Sequence, residues 1–170
     1  MKKYFFMLMM APLFLIANTE PLSSSKTLKA DLVTVVKSER KLYLSHKGKV
    51  LKTYKIALGG NPIGHKKVQG DQRTPEGYYK LDYLKENSSF YKALHISYPN
   101  TTDCCNARKL GKSPGGSIML HGQPNNEKGW FKSFFKQRTD WTAGCIAMYN
   151  GDMDEVLKLV KVGTPILIKP

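Results

Sequence analysis

Two short runs decide the reading of this chain: Ser117-Ile-Met-Leu-His121-Gly122 and Asp140-Trp-Thr-Ala-Gly144-Cys145-Ile-Ala-Met-Tyr-Asn150. The first is an apolar run ending on His-Gly. The second places a Gly directly before a Cys, with an apolar run after it. Short apolar runs bounded by turn residues read as buried strands. Two such strands side by side would bring His121 and Cys145 together, as a cysteine nucleophile and its base require. Gly144 would let the backbone approach a reacting carbonyl, with the Gly144 and Cys145 N–H groups as candidate oxyanion donors.

Working outward, the surrounding chain reads as mostly β. Leu32 to Val36, Leu42 to Leu44 and Val50 to Leu58 form three strands joined by tight turns, an antiparallel meander. Val50, Tyr54, Ile56 and Leu58 share one face, and lysines 41, 47, 49, 52 and 55 face solvent. Gly59 to Gly77 is a long loop of the kind that often carries function. Further strands follow at Gly77–Leu84, Leu94–Tyr98, Ile118–Leu120 and Thr164–Ile168. A short helix capped by Thr102 or Asp103 runs to Leu110. A second, capped by Asn150 or Asp152, spans Asp152–Val160 with Met153, Val156, Leu157 and Val160 on one face. The aromatic segment 129–137, with Trp130, reads as a helical lid. The expectation is a mainly β, sandwich or barrel-like domain with a few short helices.

The chain has 170 residues, which bounds it to one domain over residues 30–170. A domain of that size buries roughly two thirds of its unfolded surface, so its stability needs no disulfide. Residues 1–17 carry Lys2 and Lys3 and then an apolar run to Ile16, the pattern of a secretory signal peptide. Residues 18–29 are a polar, Ser-rich flexible linker. Export to a periplasm or cell-wall space follows. Setting those two lysines aside lowers the formal net charge from +14 to +12. That disfavours basic partners and favours anionic polymers such as acidic wall peptides. The lysines are scattered and no nucleic-acid motif is present, so nucleic acid is not expected. Among the cysteines, Cys104 and Cys105 are adjacent, leaving a vicinal disulfide or an external partner open, and Cys145 is the natural free thiol. No C-x-x-C or H-x-x-x-H spacing occurs, so neither a metal nor another cofactor is expected. His46 and His65 read as surface residues. Arg73 reads either as a turn residue or as a forked partner for a carboxylate. His95 and Trp141 are structural or groove-lining.

The pair His121-Gly122 … Thr142-Ala143-Gly144-Cys145-Ile146, together with Gly70-Asp71 … Arg73-Thr74-Pro75-Glu76-Gly77-Tyr78, resembles the L,D-transpeptidases (YkuD-type domain), across residues 30–170. His95 to Asn100 and Gly144 to Ala147 resemble the YafK-like branch. The usual family Arg two places after the Cys is Ala147 here. The resemblance implies a cysteine transferase of peptidoglycan biosynthesis, acting in cell-wall organisation and cell shape. Cys145 would form a thioester on tetrapeptide stems and pass it to an amine acceptor, giving cross-links or an anchored lipoprotein. It implies Cys145 and His121 as catalytic, Gly122 and Thr142 as supports of His121, and Arg73, His95, Trp130 and Trp141 as candidates for substrate contact. The alternatives are a hydrolase of the same bond type, an L,D-carboxypeptidase or a peptidoglycan–lipoprotein amidase, and an inactive wall-binding module.

Overall fold

The computed structural model describes residues 28–126 and 139–170. The segments expected to be a signal peptide and most of the linker, and the aromatic segment with Trp130, lie outside them. Eight strands run in chain order: β1 (Leu32–Val36), β2 (Lys41–His46), β3 (Lys49–Lys55), β4 (Gly77–Lys85), β5 (Ala93–Ile96), β6 (Met119–His121), β7 (Ile146–Ala147) and β8 (Pro165–Lys169). Among the described residues two helices accompany them, α1 (Thr101–Lys109) and α2 (Asn150–Leu159). The strands form a single sheet in the order β3-β2-β1-β8-β4-β5-β6-β7. β1 with β8, and β6 with β7, pair in parallel; the other neighbours are antiparallel.

The sheet curls until its two ends meet. Just past β3, the Ala57 N–H donates to the Ala147 carbonyl at 2.8 Å, and Ala147 returns the bond at 2.9 Å. Two residues on, Gly60 donates to Thr142 and Thr142 to Leu58. This barrel-like closure leaves few free strand edges. Inside it pack Val33, Val35, Leu42, Leu44, Ile56, Leu58, Leu81, Ile96, Leu120, Ile146, Ile166 and Ile168, all at most 1 % exposed. Each such side chain contributes about 1.5–3 kcal/mol by leaving water. Met153 and Val156 of α2 join this core.

The hairpin turn at Lys47–Gly48 has positive φ at both residues, 48° and 77°, the geometry that matches strand twist. The expected face of β3 is only partly right. A bulge opposite Leu44 and Ser45 admits Leu51 as an extra residue, so alternation flips there. Leu51 turns toward the core, and Val50 is left 57 % exposed.

Both helix caps differ from expectation. The N-cap of α1 is Asn100, with Asp103 at its third position. Asn100 Oδ1 accepts from the Asp103 amide (3.0 Å) while Asp103 Oδ2 accepts from the Asn100 amide (2.9 Å), a reciprocal capping box. The N-cap of α2 is Tyr149, which offers no side-chain bond. Asn150 is used elsewhere, as described below. Cys104 and Cys105 are free thiols in α1. Adjacent helical residues point about 100° apart, so in this helix the two sulfurs diverge and are not bridged to each other. His65 is not a free surface residue either. Its Nδ1 accepts from the Glu76 amide (2.9 Å), and its Nε2 lies 3.1 Å from Asp103 Oδ1, tying the long loop to α1.

Candidate active site

Parallel pairing of β6 and β7 sets Leu120 beside Ile146 and His121 beside Ala147. Leu120 and Ile146 point into the core. Strand alternation therefore turns His121, at the end of β6, and Cys145, just before β7, to the opposite face. Cys145 is level with Met119, whose amide donates to Sγ at 3.4 Å; the Ser117 carbonyl lies 3.6 Å from the same sulfur. The two residues singled out in the sequence thus lie on neighbouring strands and one face, two positions apart.

Each is held by its own turn. His121 Nδ1 donates to the Gly122 carbonyl at 2.6 Å, because a carbonyl can only accept. That fixes the tautomer and leaves the Nε2 lone pair available as a base. The imidazole is 3 % exposed and flanked by Phe90 and Trp141, with ring centroids at 4.7 and 5.8 Å. Gly122 has no alternative: a Cβ there would sit 2.5 Å from Asn150 Oδ1 and 2.8 Å from Tyr91 Cβ. Asn150 Oδ1 accepts instead from the Gln123 amide at 2.7 Å, so the first residue of α2 secures the His-Gly turn.

Gly144 adopts φ of 132°, and a Cβ on it would come 2.6 Å from the Arg73 carbonyl. The expected role of Thr142 changes here. Its hydroxyl donates to the Cys145 carbonyl (2.7 Å) and accepts from the Gly144 amide (3.1 Å), so it orders the cysteine turn rather than the imidazole. The Gly144 N–H is thereby already spent. Asp140 anchors the start of the turn: it accepts from Arg40 Nη2 (2.6 Å) and from the Leu58 amide (3.0 Å).

Electrostatics set the resting protonation of the pair. Burial pushes the Cys145 thiol up, against weaker opposition from the Met119 amide and the Lys66 charge. Burial likewise pulls His121 down, only partly offset by the Gly122 carbonyl. Both directions favour a neutral thiol beside a neutral imidazole.

The other candidates divide. Trp141 is at the site, against His121. Arg73 reaches it through its backbone, with its guanidinium beside Gly64 instead. His95 pairs with Met119 across β5 and β6, so it lies on the same face as His121 and Cys145, but its ring is committed to Asp82 Oδ1 (2.7 Å) and stacked on Tyr83 (4.5 Å). Beside Cys145 a groove of about 550 Å³ is walled by Lys66, Gln69, Ser117, Ile118 and Ala143 among others. Phe90, Asn150 and the Arg40–Asp140 tether escaped the sequence reading. Phe90 sits in a polar loop with no periodicity, and Asn150 passed for a helix cap.

The YkuD profile, the L,D-transpeptidase catalytic domain, matches residues 30–168, and the chain belongs to that family. It is 30% identical over 134 residues to YafK of Escherichia coli (strain K12), which carries the L,D-transpeptidase name provisionally; the match takes in 75% of this chain and 46% of that protein. Its fold is similar to the helical cell shape determining protein Pgp2 of Campylobacter jejuni (TM-score 0.60, 24% identity, 85% of this chain and 49% of that one). It is also similar to an L,D-transpeptidase of Xylanimonas cellulosilytica (TM-score 0.53, 13% identity, 84% of this chain and 62% of that one). The chain spans about half the length of YafK and of Pgp2.

Proposed function

We propose that this chain is an exported, cell-wall cysteine L,D-transpeptidase acting on the tetrapeptide stems of peptidoglycan. The observation that carries the reading is the β6–β7 pairing, which presents His121 and Cys145 on one face with the imidazole tautomer fixed by Gly122. With both groups neutral at rest, His121 Nε2 takes the Sγ proton as sulfur attacks. The target is the carbonyl of the L-centre of diaminopimelate in its bond to D-alanine. The C–S bond forms, the C–N bond breaks, and His121 returns the proton to the departing D-alanine amine. An acceptor amine then displaces sulfur from the thioester. Because Thr142 occupies the Gly144 amide, the Cys145 N–H is the oxyanion donor from this turn.

The test is muropeptide analysis after incubating the full chain with tetrapeptide-rich peptidoglycan, with Cys145→Ala alongside. New diaminopimelate–diaminopimelate cross-links, absent with the variant, are expected. Tripeptides or freed lipoprotein without cross-links would move the assignment to a hydrolase. No change with a folded protein would leave a wall-binding module.

A further inference from the structure

Adjoining the groove at Cys145, the same long loop walls a second cavity of about 450 Å³, lined by Asn61, Lys67, Val68, Asp71, Arg73, Leu110 and Lys112. Its charge is unbalanced. Asp71 is wholly engaged inside the loop: its oxygens accept from Lys66 Nζ (2.7 Å) and from the amides of Lys67, Val68 and Arg73. Burial alone would raise this carboxyl, but those four donors outweigh it and hold it down at about 2. Asp71 therefore forms a closed pair with the buried Lys66. Lys67 and Lys112 remain, and among the described residues neither of them pairs with a carboxylate. Val68 and the half-exposed Leu110 add an apolar strip.

The cavity is also built onto the nucleophile's turn. The Asn61 amide donates to the Gln72 carbonyl, the Gly60 amide to Thr142, and the Arg73 carbonyl packs on Gly144. Two uncompensated lysines, an amide side chain and a short apolar strip fit a carboxylate on a methylene stem.

We propose that this cavity is a carboxylate-binding subsite, with Lys67 and Lys112 seating a free carboxylate of the acidic peptidoglycan stem while its scissile bond lies at Cys145. The proposal deepens, and rests on, the peptidoglycan reading above. A stem whose carboxylates are amidated loses the charge these residues recognise, so the subsite discriminates acidic from amidated walls.

The experiment measures binding of a synthetic tetrapeptide stem, in its acidic and amidated forms, to the full chain carrying Cys145→Ala. A second protein adds Lys67→Gln and Lys112→Gln, two exposed positions whose variants should leave the melting temperature unchanged. The acidic stem should bind the parent about tenfold more tightly than the amidated one. The double variant should lose about tenfold toward the acidic stem and nothing toward the amidated one. Equal binding of both stems to the parent, undiminished discrimination in the double variant, or inorganic phosphate competing at the concentration of the stem itself would overturn the subsite. Release of D-alanine by the wild-type chain separates the two readings. Discriminating binding without release sinks the transpeptidase and leaves the subsite. Release without discrimination sinks the subsite alone.

Discussion

Cys145 sits where burial keeps its thiol protonated and His121 where burial keeps its ring neutral, so proton transfer belongs to the reaction and not to the resting state. Alkylation by iodoacetamide should therefore be slow at neutral pH and rise along a curve whose midpoint lies above that of an ordinary cysteine, about 8.5. A fast rate, flat from mildly acidic to neutral pH, would mean a preformed ion pair. The lowered His121 value has the opposite consequence for turnover. A base that stays unprotonated further into acid keeps kcat/KM up below about pH 6.5, where an unperturbed histidine would already be failing. At Gly122 the demand is steric. Gly122→Ala drives a methyl into Asn150 Oδ1 and Tyr91, displacing the carbonyl that sets the tautomer. Acylation should fall at least tenfold while alkylation of Cys145 stays close to wild type.

Among the elements, α1 and the cysteine turn depend on side chains that close backbone hydrogen bonds. Asn100→Ala removes one half of the capping box and should cost about 1 kcal/mol in urea unfolding with an unchanged m-value. The strands, the hairpin turns, the apolar face of α2 and the placement of His121 and Cys145 on neighbouring strands were all legible in the sequence, because each follows from alternation, turn chemistry or short apolar runs. What was not legible depends on contacts distant in sequence. The bulge at Leu51 reverses the face of Val50, and nothing local to Val50 announces it. Asn150 reads as a cap until Gln123, 27 positions earlier in the chain, is seen to donate its amide to the Asn150 side-chain oxygen. Thr142 lies three residues before Cys145, and only the folded turn reveals that its hydroxyl bonds that turn and not the imidazole. The Arg40–Asp140 tether spans 100 residues.

At the scale of the whole molecule, closure of the sheet through Ala57 and Ala147 makes the long loop a structural wall of the active site, and Asp71 is the hub of that loop. Its carboxyl titrates near 3.8 when unfolded and near 2 when folded. A depressed folded value contributes stability that is present above the unfolded value and lost as pH falls through the folded one. The contribution is on the order of 2 kcal/mol at neutral pH. Asp71→Asn should cost about that much near pH 7, and the gap from wild type should close between about pH 4 and pH 2 in denaturant titrations. The central claim concerns Cys145, and intact mass spectrometry after brief mixing of the full chain with a tetrapeptide stem tests it most directly. A mass gain equal to the tripeptide acyl group, mapped to Cys145, absent in Cys145→Ala and strongly reduced in His121→Ala, is the expected result. A folded chain that gains no mass, or gains it equally in Cys145→Ala, would contradict the account.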